Sequence, residues 1–260
     1  MPPSTISYPI LNSANRLASR AGQCALAVMA KAPRAGKVKT RLVPPLTFEQ
    51  AAAINICFLR DTTENIGAVA FSESAAGIIS YTPAGEEALF DGLLPAGFAL
   101  VPQRGDGFGE RLLATAEDIF ACGYGSVCLI DSDSPTVPAA VFEQAVAELQ
   151  RPGDRVVIGP SHDGGYYLIG LNRAHAELFA STNWSTATVF AETVAAANAA
   201  SLETIVLPLW YDVDDAASLS ILREELLHDV SPSFAVMPGY AARYTRDFLR
   251  DLDQPGSGLV

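Results

Sequence analysis

The chain has 260 residues, 49% hydrophobic and 18% charged, which is ordinary globular composition and excludes disordered or collagen-like architectures. Gly, Pro, Ser or a charge interrupts every apolar run well before the ~20 residues a membrane helix needs, so the sequence reads as soluble, with no membrane partner. Seventeen basic against twenty-nine acidic residues leave a net charge of −12, a field that repels nucleic acid.

The first 22 residues carry Pro2, Pro3, Ser4, Asn12, Asn15, Arg16 and Arg20 without an apolar h-region, which reads as a flexible N-terminal extension (1–23) of a cytoplasmic protein rather than a secretory signal. Short Val/Ile/Leu/Ala runs then alternate with longer amphipathic stretches. This is the pattern of strand-helix repeats building one α/β domain, Rossmann-like, with a mainly parallel central sheet flanked by helices. The spacing predicts a buried strand over 24–30 and a helix over 47–66, with Thr47 and Gln50 forming a capping box. A strand over 77–81, a short helix over 86–94 and a strand over 98–102 follow. Next come the glycine-rich turn 104–109, a helix over 110–121 and a strand over 125–130 stopped by Pro135. A helix over 137–149 and strands over 155–158 and 166–171 lead to a helix over 186–200, a strand over 204–207 and a helix over 216–227. Residues 229–260 read as a helical appendage, because some thirty residues cannot bury a core alone.

Cys24, Cys57, Cys122 and Cys128 form no CxxC pair, and His162, His175 and His228 lie far apart, which argues against zinc. Cys24 and Cys128 sit in apolar runs, where a reduced thiol behaves as a small core hydrophobe.

Against the acidic background, the chain's only lysines, Lys31, Lys37 and Lys39, share an eleven-residue, acid-free window with Arg34 and Arg41. Five of seventeen cations in eleven residues of 260 is more than a solubilising surface needs. Gly36 and the alanines let backbone amides approach a ligand while Lys and Arg meet phosphate oxygens, which suits a di- or triphosphate. The loop has neither Walker A nor GxGxxG spacing. Asp131-x-Asp133-x-Pro135 ends a predicted strand, the edge where open α/β sheets bind ligands, and two such carboxylates can grip one Mg²⁺ or Mn²⁺. An Asp/Ser/Pro cluster is equally a turn former. Asp212-x-Asp214-Asp215 follows another strand; Asp215 reads as a helix cap, leaving Asp212 and Asp214 as metal candidates.

Asp163-Gly164-Gly165-Tyr166 offers a carboxylate beside an aromatic that can stack on a sugar or base, or is simply a hairpin turn. Gln103 to Arg111 places backbone amides at a helix start, suited to an anion or base edge. Ser185 reads as a helix cap, and Trp184 as core or as a stacking platform.

The set AVMAKAPRAGKVKTRL, QRGDGFGERL, DSDSPTVP, GPSHDGGYYLIGL, NWST and WYDVDDAASL, in order from about Cys24 to Leu227, resembles the bacterial glycosyltransferase-like proteins of the nucleotide-diphospho-sugar transferase superfamily, with the GT-A fold. Some of these are associated with arsenosugar biosynthesis. KVKTRL, DSDSP, HDGG and DVDDAASL are more distantly similar to the phospholactate and molybdenum-cofactor guanylyltransferases. The resemblance implies that Lys31, Lys39 and Arg41 contact nucleotide phosphates and that Gln103 and Gly105 lie near the base. It also implies that Asp133 is the main metal ligand, Asp131 its companion and Asp214 a second acidic ligand. The chain lacks the Gly-Gly of the pyrophosphorylase first loop, which counts against nucleotidyl transfer.

Residues and resemblance together lead to a metal-dependent transferase that moves a sugar from a nucleotide-activated donor to a small acceptor, with Asp163 as acceptor base and a pocket including Gly164, Gly165, Tyr166 and Trp184. Nucleotidyl transfer with loss of pyrophosphate, and a nucleotide-binding module without turnover, are the alternatives.

Overall fold

The computed structural model describes residues 7–70, 74–180, 182–184 and 186–254. The seven apolar runs all pair into a single sheet: β1 (Cys24–Lys31), β2 (Ala75–Thr82), β3 (Ala99–Pro102), β4 (Ser126–Ile130), β5 (Arg155–Pro160), β6 (Tyr166–Leu171) and β7 (Glu203–Val206). Their spatial order is β3-β2-β1-β4-β6-β5-β7. Every neighbouring pair is parallel except those of β6, which runs antiparallel to both β4 and β5 because a tight turn joins it to β5.

Residues of β1 alternate between two cores, as a strand buried on both faces requires. Cys24, Leu26, Val28 and Ala30 face one cluster, while Ala25 and Ala27 face the other. The first core is covered by α1 (Phe48–Ala70), α3 (Ala139–Gln150), α5 (Ala216–His228) and α6 (Arg243–Leu252). The second is covered by α2 (Phe108–Ala121) and α4 (Val189–Ala199). The Cys24 and Cys128 sulfurs lie 3.8 Å apart inside the first core, both free thiols, as their apolar surroundings in sequence imply.

Thr47 starts α1 as its chemistry suggests: Gln50 N–H donates to Thr47 Oγ1 (3.2 Å) and Thr47 N–H donates to Gln50 Oε1 (2.9 Å). The short helix expected over 86–94 is only a 3₁₀ turn, Glu87–Phe90. The helix expected from 186 begins three residues later at Val189, and Ser185, its expected cap, lies outside the described residues.

Residues 8–11 and 242–252 are more deeply integrated than their composition suggests. Leu11 N–H donates to Leu100 O (2.8 Å) and Leu100 N–H to Pro9 O (2.9 Å), so residues 9–11 cover the open edge of β3. The Tyr8 hydroxyl is buried and donates to Leu94 O at 2.6 Å. An extension loose over its whole length does not describe these residues. At the other end, Ala242 and Leu249 enter the first core beside α1, so the tail is part of that core rather than an appendage. Asp61 of α1 is wholly buried and accepts hydrogen bonds from Tyr244 N–H (3.0 Å), Thr245 N–H (2.8 Å) and Thr245 Oγ1–H (2.6 Å). One helix thus supplies the cap for the N-terminus of another.

Candidate functional site

From β1 the chain winds outward through β2 to β3, then returns to the other side of β1 to lay down β4. The carboxyl ends of β1 and β4 therefore diverge at a switch point, where a crevice opens for topological reasons. A cleft of about 530 Å³ lies there, and Lys31, Lys37, Lys39, Arg41, Asp133 and Asp214 are among its lining residues.

Lys39 organises one wall. It adopts a left-handed backbone conformation (φ 47°), which turns the chain after the flexible Gly36 loop toward the sheet. Its side chain is 4% exposed, and Nζ lies 2.8 Å from Asp133 Oδ1, 3.2 Å from Asp214 Oδ1 and 2.7 Å from Val213 O. Burial alone would lower the ammonium pKa, but Asp133 and then Asp214 outweigh it and hold it above its ordinary value. Lys39 is therefore a permanent cation binding the strand-end Asp motif of β4 to the acidic segment before α5. The backbone adds a further tie, Val213 N–H to Asp133 O at 2.9 Å. Asp215 is the cap its position suggested, accepting from Ser218 N–H at 2.9 Å.

The other basic residues divide. Lys31, Lys37 and Arg41 line the cleft, and Arg41 lies 3.9 Å from Asp214 Oδ2. Arg34 is not on its wall: its Nε donates to Glu86 at 2.9 Å, a surface ion pair. The acidic residues divide too. Asp131 and Asp212 lie off the cleft wall, each held by a serine: Ser134 Oγ–H donates to Asp131 Oδ2 at 2.7 Å, and Ser161 Oγ–H to Asp212 Oδ1 at 2.7 Å. Burial pushes Asp131 well above the usual carboxylate range, with Asp133 and Asp212 adding to it. Burial also pushes Asp212 up to about 6; Ser161 opposes the shift, while Asp163 and Asp214 add to it.

Among the described residues no group of three or more His, Cys, Asp or Glu side chains is arranged to hold a metal ion. A hard cation that arrives with phosphate needs only one or two carboxylates, the remaining positions going to phosphate oxygens and water. Asp133 and Asp214, 32% and 46% exposed on the same wall, can enter such a set only through their Oδ2 atoms, because Lys39 holds Oδ1 of both. Asp131 and Asp212, held by Ser134 and Ser161, are not on that wall.

Gln103 lines the cleft, its Nε2–H donating to Ser80 O at 2.7 Å. Gly105 is not on the wall; its positive φ of 106° and its approach to Glu110, whose Cβ lies 2.8 Å from an added Cβ, make it a turn residue. Asp163 sits in the Ser161–Gly165 turn between β5 and β6, accepting from Gly165 N–H at 2.8 Å, and it also lines the cleft. The hairpin and cleft readings of this segment hold together. Gly165, Tyr166 and Trp184 line the wall beside it, whereas Gly164 (φ 93°) packs against the Ala187 backbone. The Trp184 ring meets Phe108 edge-on at 5.0 Å and Tyr166 at 6.4 Å, so it is both packed and presented to the cleft.

Phe108, Arg111, Asn55 and Thr82 also line the cleft, and none was singled out from sequence. Phe108 and Arg111 fall on successive turns of one helix face (i, i+3), a signal the sequence carries once the helix start is known.

A family model described as "Uncharacterized protein conserved in bacteria (DUF2064)" matches residues 65–186. Among solved structures, a protein of Desulfovibrio desulfuricans G20 assigned to the nucleotide-diphospho-sugar transferases is 30% identical, with a TM-score of 0.72 over 89% of this chain and 99% of that one. The 4-diphosphocytidyl-2C-methyl-D-erythritol synthase of Anaerococcus prevotii DSM 20548 shares the fold at 10% identity, with a TM-score of 0.52 over 81% of this chain and 99% of that one. No curated protein matches in sequence. The fold, the identity and its near-complete coverage of the Desulfovibrio protein establish that the chain belongs to the nucleotide-diphospho-sugar transferases.

Proposed function

We propose that the protein transfers a sugar from a nucleoside diphosphate sugar to a small acceptor. The observation that carries this reading is the charge arrangement of the cleft. Lys31 at the end of β1 and Lys37 and Arg41 in the segment after it line the cleft, Asp133 and Asp214 are held together by Lys39, and Asp163 lies on the same cleft with Tyr166 and Trp184. In a protein of net charge −12, three cleft-lining cations within eleven residues form a local well for a diphosphate.

In this reading Lys31, Lys37 and Arg41 bind the diphosphate oxygens and meet the charge that grows on them as the glycosidic bond breaks. Lys39 keeps Asp133 and Asp214 in register. Those two carboxylates would hold a Mg²⁺ or Mn²⁺, which supplies Lewis-acid stabilisation of the departing diphosphate. Gln103, at the end of β3, serves the nucleotide end. Asp163 is exposed in a turn fixed at both ends, and it accepts the proton of the acceptor hydroxyl. Tyr166 and Trp184 give the sugar or acceptor an apolar surface that excludes water.

Product analysis tests the reading. With a panel of nucleotide sugars, a divalent cation and a small-molecule extract, the reading requires nucleoside diphosphate release matched by a glycosylated acceptor. Consumption of a nucleoside triphosphate with release of pyrophosphate would replace it with nucleotidyl transfer.

A further inference from the structure

The basic loop accounts for the cations on one side of the cleft but not for Arg111. Arg111 lies on α2, which covers the opposite face of the sheet from α1, so it reaches the cleft from the other side. Among the described residues its guanidinium makes one hydrogen bond, Nη1–H to Asp106 O at 2.9 Å, and it pairs with no carboxylate. The adjacent Glu110 is committed elsewhere, accepting from Asp106 N–H (2.8 Å) and Gly107 N–H (3.2 Å). Arg111 thus lines the cleft with a guanidinium that feels Glu110 only through space and, among the described residues, is in ion-pair contact with no carboxylate.

The surface beside it is aromatic. Phe108 is 43% exposed, unusual for a large apolar ring, and the Arg111 guanidinium lies 5.8 Å from its centroid. Phe108 meets Trp184 at 5.0 Å with the rings at 82°, and Trp184 in turn meets Tyr166. Gly109 fixes this wall: a Cβ there would lie 2.6 Å from Trp184 Nε1, so α2 and the 182–184 segment touch with no side chain between them. A rigid apolar wall ending in a forked cation matches a ligand with an apolar body and a terminal oxyanion.

Resting on the glycosyl-transfer reading, we propose that the acceptor is a small molecule with an apolar body and a carboxylate or phosphate group, its body against Phe108 and Trp184 and its oxyanion on Arg111. The hydroxyl that receives the sugar then lies toward Asp163, on the same cleft.

The test uses simple probes, benzoate, phenyl phosphate and neutral benzyl alcohol, titrated into the full chain and read by tryptophan fluorescence. The chain has two tryptophans, and Trp210 is wholly buried, which leaves Trp184 as the responsive one. Benzoate and phenyl phosphate are expected to quench saturably and to bind about tenfold more tightly than benzyl alcohol, as a charge-assisted hydrogen bond requires. R111Q is expected to erase that preference while leaving binding of uridine diphosphate unchanged, and K37Q to do the reverse. Benzoate alone showing the preference assigns a carboxylate, and phenyl phosphate alone a phosphate. Equal binding of the charged and neutral probes to the unaltered protein overturns the proposal without any variant. Loss of probe binding in K37Q rather than R111Q also overturns it, because the probes would then occupy the diphosphate loop. Failure of nucleotides to bind while the probes still depend on Arg111 would instead strike the glycosyl-transfer reading.

Discussion

The ammonium of Lys39 lies 2.8 Å from Asp133 Oδ1, joining the loop after β1 to the carboxyl end of β4 through a side chain that is almost entirely buried. Asp214 completes the arrangement at 3.2 Å, so one cation holds two carboxylates that would otherwise repel each other across the cleft wall. Stability and ligand capture are coupled at this point. Lys39→Met keeps the stem and removes the charge. The unpaired carboxylates remain partly hydrated, so the cost falls below the 3–5 kcal/mol of a fully buried pair, at about 2 kcal/mol. Denaturant unfolding measures it, and nucleotide binding should fall with it.

Asp131 and Asp133 sit two residues apart yet face different surroundings. Of the two only Asp133 lines the cleft; Asp131 accepts from the Ser134 hydroxyl and the Asp133 amide. Asp133→Asn should abolish metal-dependent nucleotide binding, whereas Asp131→Asn should retain most of it. Titration calorimetry with and without Mn²⁺ separates the two.

Gly164 combines a positive φ of 93° with a backbone contact: an added Cβ would lie 2.2 Å from Ala187 O. Neither atom can be moved cheaply, so Gly164→Ala should cost about 1–3 kcal/mol and displace Asp163 from the cleft. Thermal unfolding shows the first effect and loss of transferase activity the second.

Burial raises the Asp61 carboxyl above its ordinary value, against the hydrogen bonds from Thr245 and Tyr244. The folded chain thus binds more protons than the unfolded chain between about pH 4, where an exposed Asp titrates, and the raised value. The Asp61 contribution to unfolding free energy should therefore be largest below pH 4, fall as pH rises through that window and be constant above it. Asp61→Asn removes this slope. Its amide donors also oppose those of Thr245 at the start of α6, at a cost of about 2 kcal/mol at neutral pH. Urea midpoints of the two proteins across pH 3.5 to 8 measure both quantities.

Much of the fold is legible in the sequence because the chain is locally consistent. The run Cys24 to Ala30 is a strand buried on both faces, Thr47 and Gln50 form the capping box of α1, and Asp215 caps α5. The basic loop is legible as a cleft element because it contradicts the charge of the whole chain. Other features depend on contacts between segments distant in sequence. Asp131 and Asp212 look equivalent to Asp133 and Asp214 until Ser134 and Ser161 are seen to engage them. The tail looks unable to bury a core because its partner, Asp61, lies more than 180 residues earlier. Arg111 looks like one arginine among many until Glu110 is seen to spend its hydrogen bonds on the Asp106 and Gly107 amides.

The most direct measurement is the thermal shift given by nucleoside diphosphates, their sugars and the matching triphosphates, each with and without Mg²⁺ or Mn²⁺, on the unaltered chain and on Asp133→Asn. A ligand that binds only the folded state raises its stability by RT ln(1 + [L]/Kd), about 2.7 kcal/mol at one hundred times Kd. Assembly of the basic loop, Asp133 and Asp214 into a donor site predicts metal-dependent stabilisation by one diphosphate and its sugar, larger than that by the triphosphate and absent from Asp133→Asn. A larger shift with the triphosphate, or no shift with any nucleotide, would contradict the account.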